Sequence, residues 1–200
     1  MTNAPESTPF APHGPLPEGG RVREITRWGQ PVMHRRLQPV TAYDASLRDL
    51  VADMVATMYA AEGVGLAANQ IGADLAVFVF DCPDASGRHT VGVVCNPVVT
   101  LPEGKERRLD DGDEGCLSYP GAYVPCARPD WAAVDGTGLD GEPVHFQGDG
   151  LLARCIQHEA DHLDGTVFGD RVSLRARKKL QKIMEREAED FPPGWPANEA

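Results

Sequence analysis

The sequence contains no C-x-x-C pair, and its five cysteines, at positions 82, 95, 116, 126 and 155, make an odd number. That is a poor basis for a disulfide framework and fits a reducing compartment, where a lone cysteine serves as ligand, nucleophile or core filler. Long apolar runs are missing too. The most obvious one, Leu75–Phe80, is far too short to span a bilayer. Basic residues are in the minority: 19 Lys and Arg against 30 Asp and Glu give a formal charge of −11. A phosphate-rich partner would demand net positive surface, so a general nucleic-acid coat, DNA included, is not expected. The opening Met-Thr-Asn-Ala-Pro-Glu has neither a basic start nor an apolar core, so no secretory signal is expected. These absences leave a cytoplasmic protein with no membrane partner as the expectation.

What is present suits one folded domain. At 200 residues, 42% hydrophobic and 24% charged, the chain is long enough to bury roughly two-thirds of its unfolded surface. Pro5, Pro9, Pro12, Pro15 and Pro17 lie among small polar residues, and such a segment cannot offset its ordering entropy by burial. The expected organisation is a flexible Pro-rich tail over 1–20, a single domain over 21–190 and a C-terminal tail over 191–200.

Periodicity places the elements. Leu47, Leu50, Val51, Met54, Val55 and Met58 fall on one face of a helix over about 44–61. Asp44 or Ser46 can cap its start, and Gly63 can supply a left-handed residue past its end. Leu75–Phe80 reads as a buried strand, with further strands at Val91–Cys95, Trp131–Val134 and Val144–Phe146, the last reached by a turn at Asp140-Gly141. A helix is expected over Gly150–Leu163, and a last one over about 174–188 with Ser173 as its cap. This order predicts an α+β fold: antiparallel or mixed β-sheets packed around a central metal-binding helix, with an N-terminal and a C-terminal helix.

That central helix is metal-binding because of His158 and His162. Residues four apart share one helix face, so both imidazoles can reach a single ion, and Glu159 is placed to hydrogen-bond a water on it. This is the His-Glu-x-x-His pattern of metal-dependent hydrolases; the bland alternative is a surface helix with two histidines. A catalytic metal usually keeps three protein ligands. Cys116, in Glu114-Gly-Cys-Leu-Ser118, is the best third candidate, since a thiolate is a strong donor and Gly115 allows close approach. The segment Glu62-Gly-Val-Gly-Leu-Ala-Ala-Asn-Gln70 adds small residues that let another backbone come near. Its Gln70 brings amide donors for a developing oxyanion.

Together these three segments resemble the peptide deformylase family. Gly63, Gly65, Leu66, Ala67, Ala68 and Gln70 match G-x-G-L-A-A-x-Q; Glu114–Ser118 matches E-G-C-L-S; residues 157–165 match Q-H-E-x-D-H-L-x-G. The likeness runs from about residue 21 to the final helix. It implies removal of the N-formyl group from nascent polypeptides beginning with formyl-methionine, with release of formate. It further implies one divalent metal on Cys116, His158 and His162, ferrous iron in the cell, with Zn2+, Ni2+ or Co2+ able to substitute. Glu159 would act as general base and later return its proton to the departing amine. Gln70 and the Leu117 backbone N–H would hold the oxyanion. The substrate backbone would lie extended beside Gly63, Val64 and Gly65, with Leu151 and Cys155 as candidate pocket residues; plain core packing is the alternative for those two.

Three features depart from common family usage. The stretch Tyr119–Pro125 is short and lacks a basic residue, which argues against an arginine contact to the peptide backbone unless Arg128 swings in. Gly112 stands where an apolar residue is usual. So does Arg154, whose stem is expected to cover the pocket while its head reaches water, unless side-chain preference is altered. His13, His34, His89 and His145 show no ligand spacing. The final helix carries Arg175, Arg177, Lys178, Lys179, Lys182 and Arg186, a basic face that family likeness connects with the ribosome; a solvated face is the alternative. Two other functions stay open: a metal-dependent peptidase, and a non-catalytic metal-binding or ribosome-associated module.

Overall fold

Val77, Phe78, Val79 and Phe80 are all buried, an unbroken run where a one-sided sheet would alternate. Both faces of their sheet are covered. Val77 and Val79 join Leu66 and Cys95 in a core with the first helix, whereas Phe78, Phe80 and Val94 meet Ala153, Ile156 and Leu163 of the motif helix on the opposite face. Period-two alternation sends one set each way. The computed structural model describes residues 15–84 and 86–197.

The strands in chain order are β1 (Gly65–Ala67), β2 (Val77–Pro83), β3 (His89–Thr100), β4 (Leu109–Asp110), β5 (Asp113–Gly115), β6 (Tyr123–Pro125), β7 (Arg128–Pro129), β8 (Trp131–Thr137) and β9 (Pro143–Asp149). The helices are α1 (Ala45–Ala60), α2 (Gly150–Leu163), α3 (Phe168–Arg171) and α4 (Leu174–Arg186). One sheet runs β1-β2-β3-β8-β9, while β4 pairs with β7 and β5 with β6. Every described pair is antiparallel, so the α+β expectation holds in its antiparallel form. A third core gathers Met33, Tyr119, Val124, Phe168 and Leu180 around the Cys116 side of the fold.

The long elements sit where periodicity put them. Asp44 caps α1, its carboxylate accepting from the Ser46 and Leu47 N–H groups. Ser173 caps α4, accepting from Ala176 N–H at 3.2 Å. One expectation is corrected: the left-handed residue after α1 is Glu62 (φ 53°), not Gly63. Gly63 is small for another reason, since a Cβ there would lie 2.8 Å from Leu117 Cδ1. The strands β1 and β4 to β7 are two or three residues each, too short to show a period.

Of the two terminal segments, residues 1–14 and 198–200, with His13 among the former, lie outside the described residues. Leu16 packs on the first core, and Gly20 passes so close to Ala52 that a Cβ would sit 2.0 Å from its carbonyl carbon. At the other end Trp195 is buried in the same core, and its carbonyl accepts from the Ile25 N–H at 2.9 Å.

Candidate functional site

Helix α2 begins at Gly150, and its spacing brings His158 and His162 to one side, with Nε2 atoms 3.2 Å apart. Cys116 follows β5 and places its Sγ 3.3 Å from His162 Nε2. The strand must pass close to β6, which is why residue 115 is glycine: a Cβ there would lie 2.3 Å from the Tyr123 ring. The ligand atoms of Cys116, His158 and His162 all lie within 4.8 Å of one another.

Three donor atoms meeting in this way could hold one cation. His158 Nδ1 lies 2.7 Å from Glu114 Oε1. A carboxylate can only accept there, so Nδ1 carries the proton and the Nε2 lone pair faces His162 and Cys116. Two imidazole nitrogens and one sulfur are a fitting donor set for zinc, iron, cobalt or nickel.

Glu114 is itself held from all sides. Oε1 accepts from Arg128 Nη2 at 2.6 Å as well as from His158, and Oε2 accepts from Arg128 Nε at 3.0 Å and Arg154 Nη1 at 2.9 Å. Burial alone would raise its pKa, but the Arg128 and His158 hydrogen bonds hold it well below the usual carboxylate range. Arg128 then continues to Asp161 Oδ2 at 2.7 Å, and Arg171 binds the same carboxylate. Such outer partners fix the orientation of a metal-binding histidine.

One expectation about an arginine is thereby corrected, and the expectation against a second reaching the peptide stands. Arg154 does not send its head to water: its side chain is 10% exposed, and the guanidinium binds Glu114, the Cys126 carbonyl and Asp110. Arg128 does not swing toward a substrate, because both ends of its guanidinium are taken up by Glu114 and Asp161. Both guanidinium groups meet the carboxylate of Glu114, whose side chain is 3% exposed and would otherwise be a buried unpaired charge.

Glu159 lies beside the histidines, almost fully enclosed, and burial pushes its pKa up to about 7. Its Oε2 is buried without a partner among the described residues, as expected of a group awaiting a water or substrate. Gly65 faces it: a Cβ there would lie 2.5 Å from Glu159 Oε1 and 2.6 Å from Cys155 Sγ. Gln70 is oriented without ambiguity. Its Oε1 accepts from the Ala67 N–H at 2.8 Å, which turns the amide nitrogen toward Cys116 Sγ (3.6 Å) and Ser118 Oγ (3.3 Å). Leu117 sits in a turn closed by Tyr119 N–H to Cys116 O at 2.8 Å, and its own N–H takes no partner among the described residues.

A cavity of about 720 Å³ opens over this group. Gln70, Cys116, Leu117, His158 and Glu159 line it, and so do Gly63, Val64, Gly65, Leu151 and Cys155. The Val64 carbonyl is turned inward, accepting from Asp81 N–H at 2.9 Å and from the thiols of Cys82 and Cys155. Cys155 is buried, whereas Leu151 is 41% exposed at the mouth. Sequence reasoning missed the roles of Glu114, Arg128 and Arg154, and the presence of Asp190, Phe191 and Trp195 in the same cavity. The first three had a signal: charges on and around one buried helix must be compensated by others nearby. The last three had none.

With this geometry in hand, the likeness to known proteins is specific. Residues 22–178 match the model of the family described as Polypeptide deformylase. Peptide deformylase 1 of Streptomyces avermitilis is 53% identical over 176 residues, covering 88% of this chain and 81% of that one. Peptide deformylase 2 of the same organism is 52% identical over 175 residues, covering 87% and 92%. Among solved structures, a peptide deformylase from Legionella pneumophila superposes with a TM-score of 0.71 at 37% identity, covering 84% of this chain and 98% of that one.

Proposed function

The chain belongs to the peptide deformylase family, and on that premise we propose how its own residues remove the N-formyl group from polypeptides that begin with formyl-methionine. The observation that carries the assignment of roles is the convergence of Cys116 Sγ, His158 Nε2 and His162 Nε2 beside a buried carboxylate oxygen that has no partner among the described residues. Held by those three atoms, a divalent cation supplies Lewis acidity to a water and to the formyl oxygen.

Glu159 takes the proton from the attacking water and later gives it to the departing amine, so formate and a free amino terminus leave. Gln70 Nε2 and the Leu117 N–H donate to the oxygen on which negative charge builds; one such donor is worth about 2.7–4 kcal/mol in the transition state. Gly63 and Val64 lead into β1, the edge strand that begins at Gly65, and the substrate backbone adds strand-like contacts beside these three residues. Leu151 and Cys155 take part of the methionine side chain. His162 is fully enclosed and Glu159 nearly so, which keeps bulk water from competing for the donors.

The mixed nitrogen–sulfur donor set suits zinc, iron, nickel and cobalt alike, and the resemblance to the family favours ferrous iron in the cell with the others as substitutes. The protein works in the cytoplasm; no described helix is long and apolar enough to cross a membrane. The basic residues of α4 favour contact with ribosomal RNA, which salt-sensitive co-sedimentation with ribosomes would support and its absence at low salt would refute.

The decisive experiment is formate release from formyl-Met-Ala-Ser, with and without chelator, on protein purified anaerobically and analysed for metal. Release abolished by chelator and restored by Fe2+ is expected. Hydrolysis of an unformylated peptide instead would make the protein a peptidase, and a zinc-only enzyme gaining nothing from iron would overturn the choice of metal.

A further inference from the structure

The chain after α4 does not leave the molecule. It turns back across the mouth of the cleft, and Asp190, Phe191 and Trp195 line the same cavity as Cys116 and Glu159. The turn is anchored from several directions. Arg27 Nη2 donates to the Phe191 carbonyl at 2.9 Å, and its guanidinium lies 5.8 Å from the centre of the Trp195 ring. Gly194 N–H donates to Glu24 Oε1 at 2.9 Å. The Phe191 and Trp195 rings meet edge to face at 5.0 Å, and Phe191 lies so near residue 121 that a Cβ there would come within 2.9 Å of its ring. The strand-like segment that accepts this strap continues directly to the oxyanion residue: Ile25 N–H binds Trp195 O, and the next residue, Thr26, binds the Gln70 carbonyl at 2.7 Å.

The charges at the mouth are one-sided. Glu62, Asp113 and Asp190 line the cavity, all three are exposed, and none of their carboxylates has a partner among the described residues. The one arginine in the lining, Arg154, is taken up by Glu114, Asp110 and a carbonyl. A peptide whose formyl end reaches the buried floor must carry its later residues out past this rim.

We propose that the strap formed by Asp190–Trp195 is a wall of the substrate cleft that reads the residues following formyl-methionine, and that with Glu62 and Asp113 it favours basic side chains there. The inference rests on the deformylase reading above. Phe191, backed edge to face by the buried Trp195, gives the emerging backbone an apolar surface to lie on, and the carboxylates attract a lysine or arginine and repel an acidic residue.

Three substrates separate the possibilities: formyl-Met-Ala-Lys, formyl-Met-Ala-Glu and formyl-Met amide, which is too short to meet the rim. Wild-type metal-loaded protein is expected to show kcat/KM about fivefold higher for the lysine peptide than for the glutamate peptide at low salt, narrowing as salt screens exposed charges. Asp190→Asn, an exposed change, is expected to narrow that ratio. Phe191→Ala is expected to lower the ratio of tripeptide to formyl-Met-amide kcat/KM, mainly through KM. Equal use of the two charged tripeptides by wild type, or an equal loss on all three substrates in Phe191→Ala, would overturn the proposal. Formate from none of the three would overturn the deformylase reading itself, and the strap with it.

Discussion

The inner wall of the cleft and its rim are built on opposite principles. Inside, the charges that support the histidines are answered, with Glu159 the exception: Glu114 receives four donors from Arg128, Arg154 and His158, and Asp161 is held by Arg128 and Arg171. At the rim Glu62, Asp113 and Asp190 stand open to water, beside exposed Val64, Tyr123 and Leu151. The contrast separates two tasks. Holding a cation and a base in fixed geometry needs side chains that have no other position available. Accepting many different nascent chains needs a surface whose groups are still free to pair.

The comparison breaks first at Glu159, if anywhere. Glu159→Ala is expected to keep its metal, because Cys116, His158 and His162 are untouched, while turnover falls by about 10²–10⁴. Elemental analysis of the purified variant beside steady-state formate release measures both halves. A variant retaining more than about a tenth of wild-type kcat would remove the Glu159 carboxylate from the chemistry.

Arg128 sharpens the same contrast at the level of stability. Arg128→Ala leaves Glu114 and Asp161 short of their shared partner in a dry environment, which costs about 3–5 kcal/mol. Asp113→Asn at the rim should change stability by less than about 0.5 kcal/mol. Denaturant unfolding of both variants beside wild type gives the two numbers directly. Similar losses would mean that the rim carboxylates are held as firmly as the buried ones, and the division between wall and rim would fail.

The same division explains how much of the molecule could be read in advance. The meeting of Cys116, His158, Glu159, His162 and Gln70 was legible because each stands in a short motif whose residue types suit one chemistry, and the four-residue step of α2 follows from helix geometry alone. Helix α1 and its Asp44 cap were legible from period and capping. Arg154 was misread because its environment is assembled from Asp110, Cys126 and Glu114, which lie 28 to 44 residues away along the chain; nothing local announces such a pairing. The strap was hidden for a similar reason. Phe191-Pro-Pro-Gly-Trp195 has the composition of a tail, and only the packing of Trp195 on Ile25 and its neighbours makes it a wall. Glu62 shows a third kind of miss: glycine was available one residue later, so the left-handed position was assigned there, while Leu117 was what required Gly63 to be small.

The smallest expected effect asks whether the two regions are mechanically joined. Ser173 Oγ accepts the Ala176 N–H at the start of α4, the helix that leads into the strap. Removing that acceptor costs about 1 kcal/mol of stability, roughly what one unanswered N–H in a first helical turn is worth. Ser173 lies outside the cleft lining, so Ser173→Ala should release formate from formyl-Met amide at the wild-type rate. Its melting temperature should fall by a few degrees, since about 1 kcal/mol shifts a domain of this size by roughly 2–4 °C. Loss of turnover on that short substrate, matched to the loss of stability, would mean that the chemistry depends on the strap's anchorage through Ile25, Thr26 and the Gln70 carbonyl. The inner wall would then be only as rigid as the last helix that leans on it.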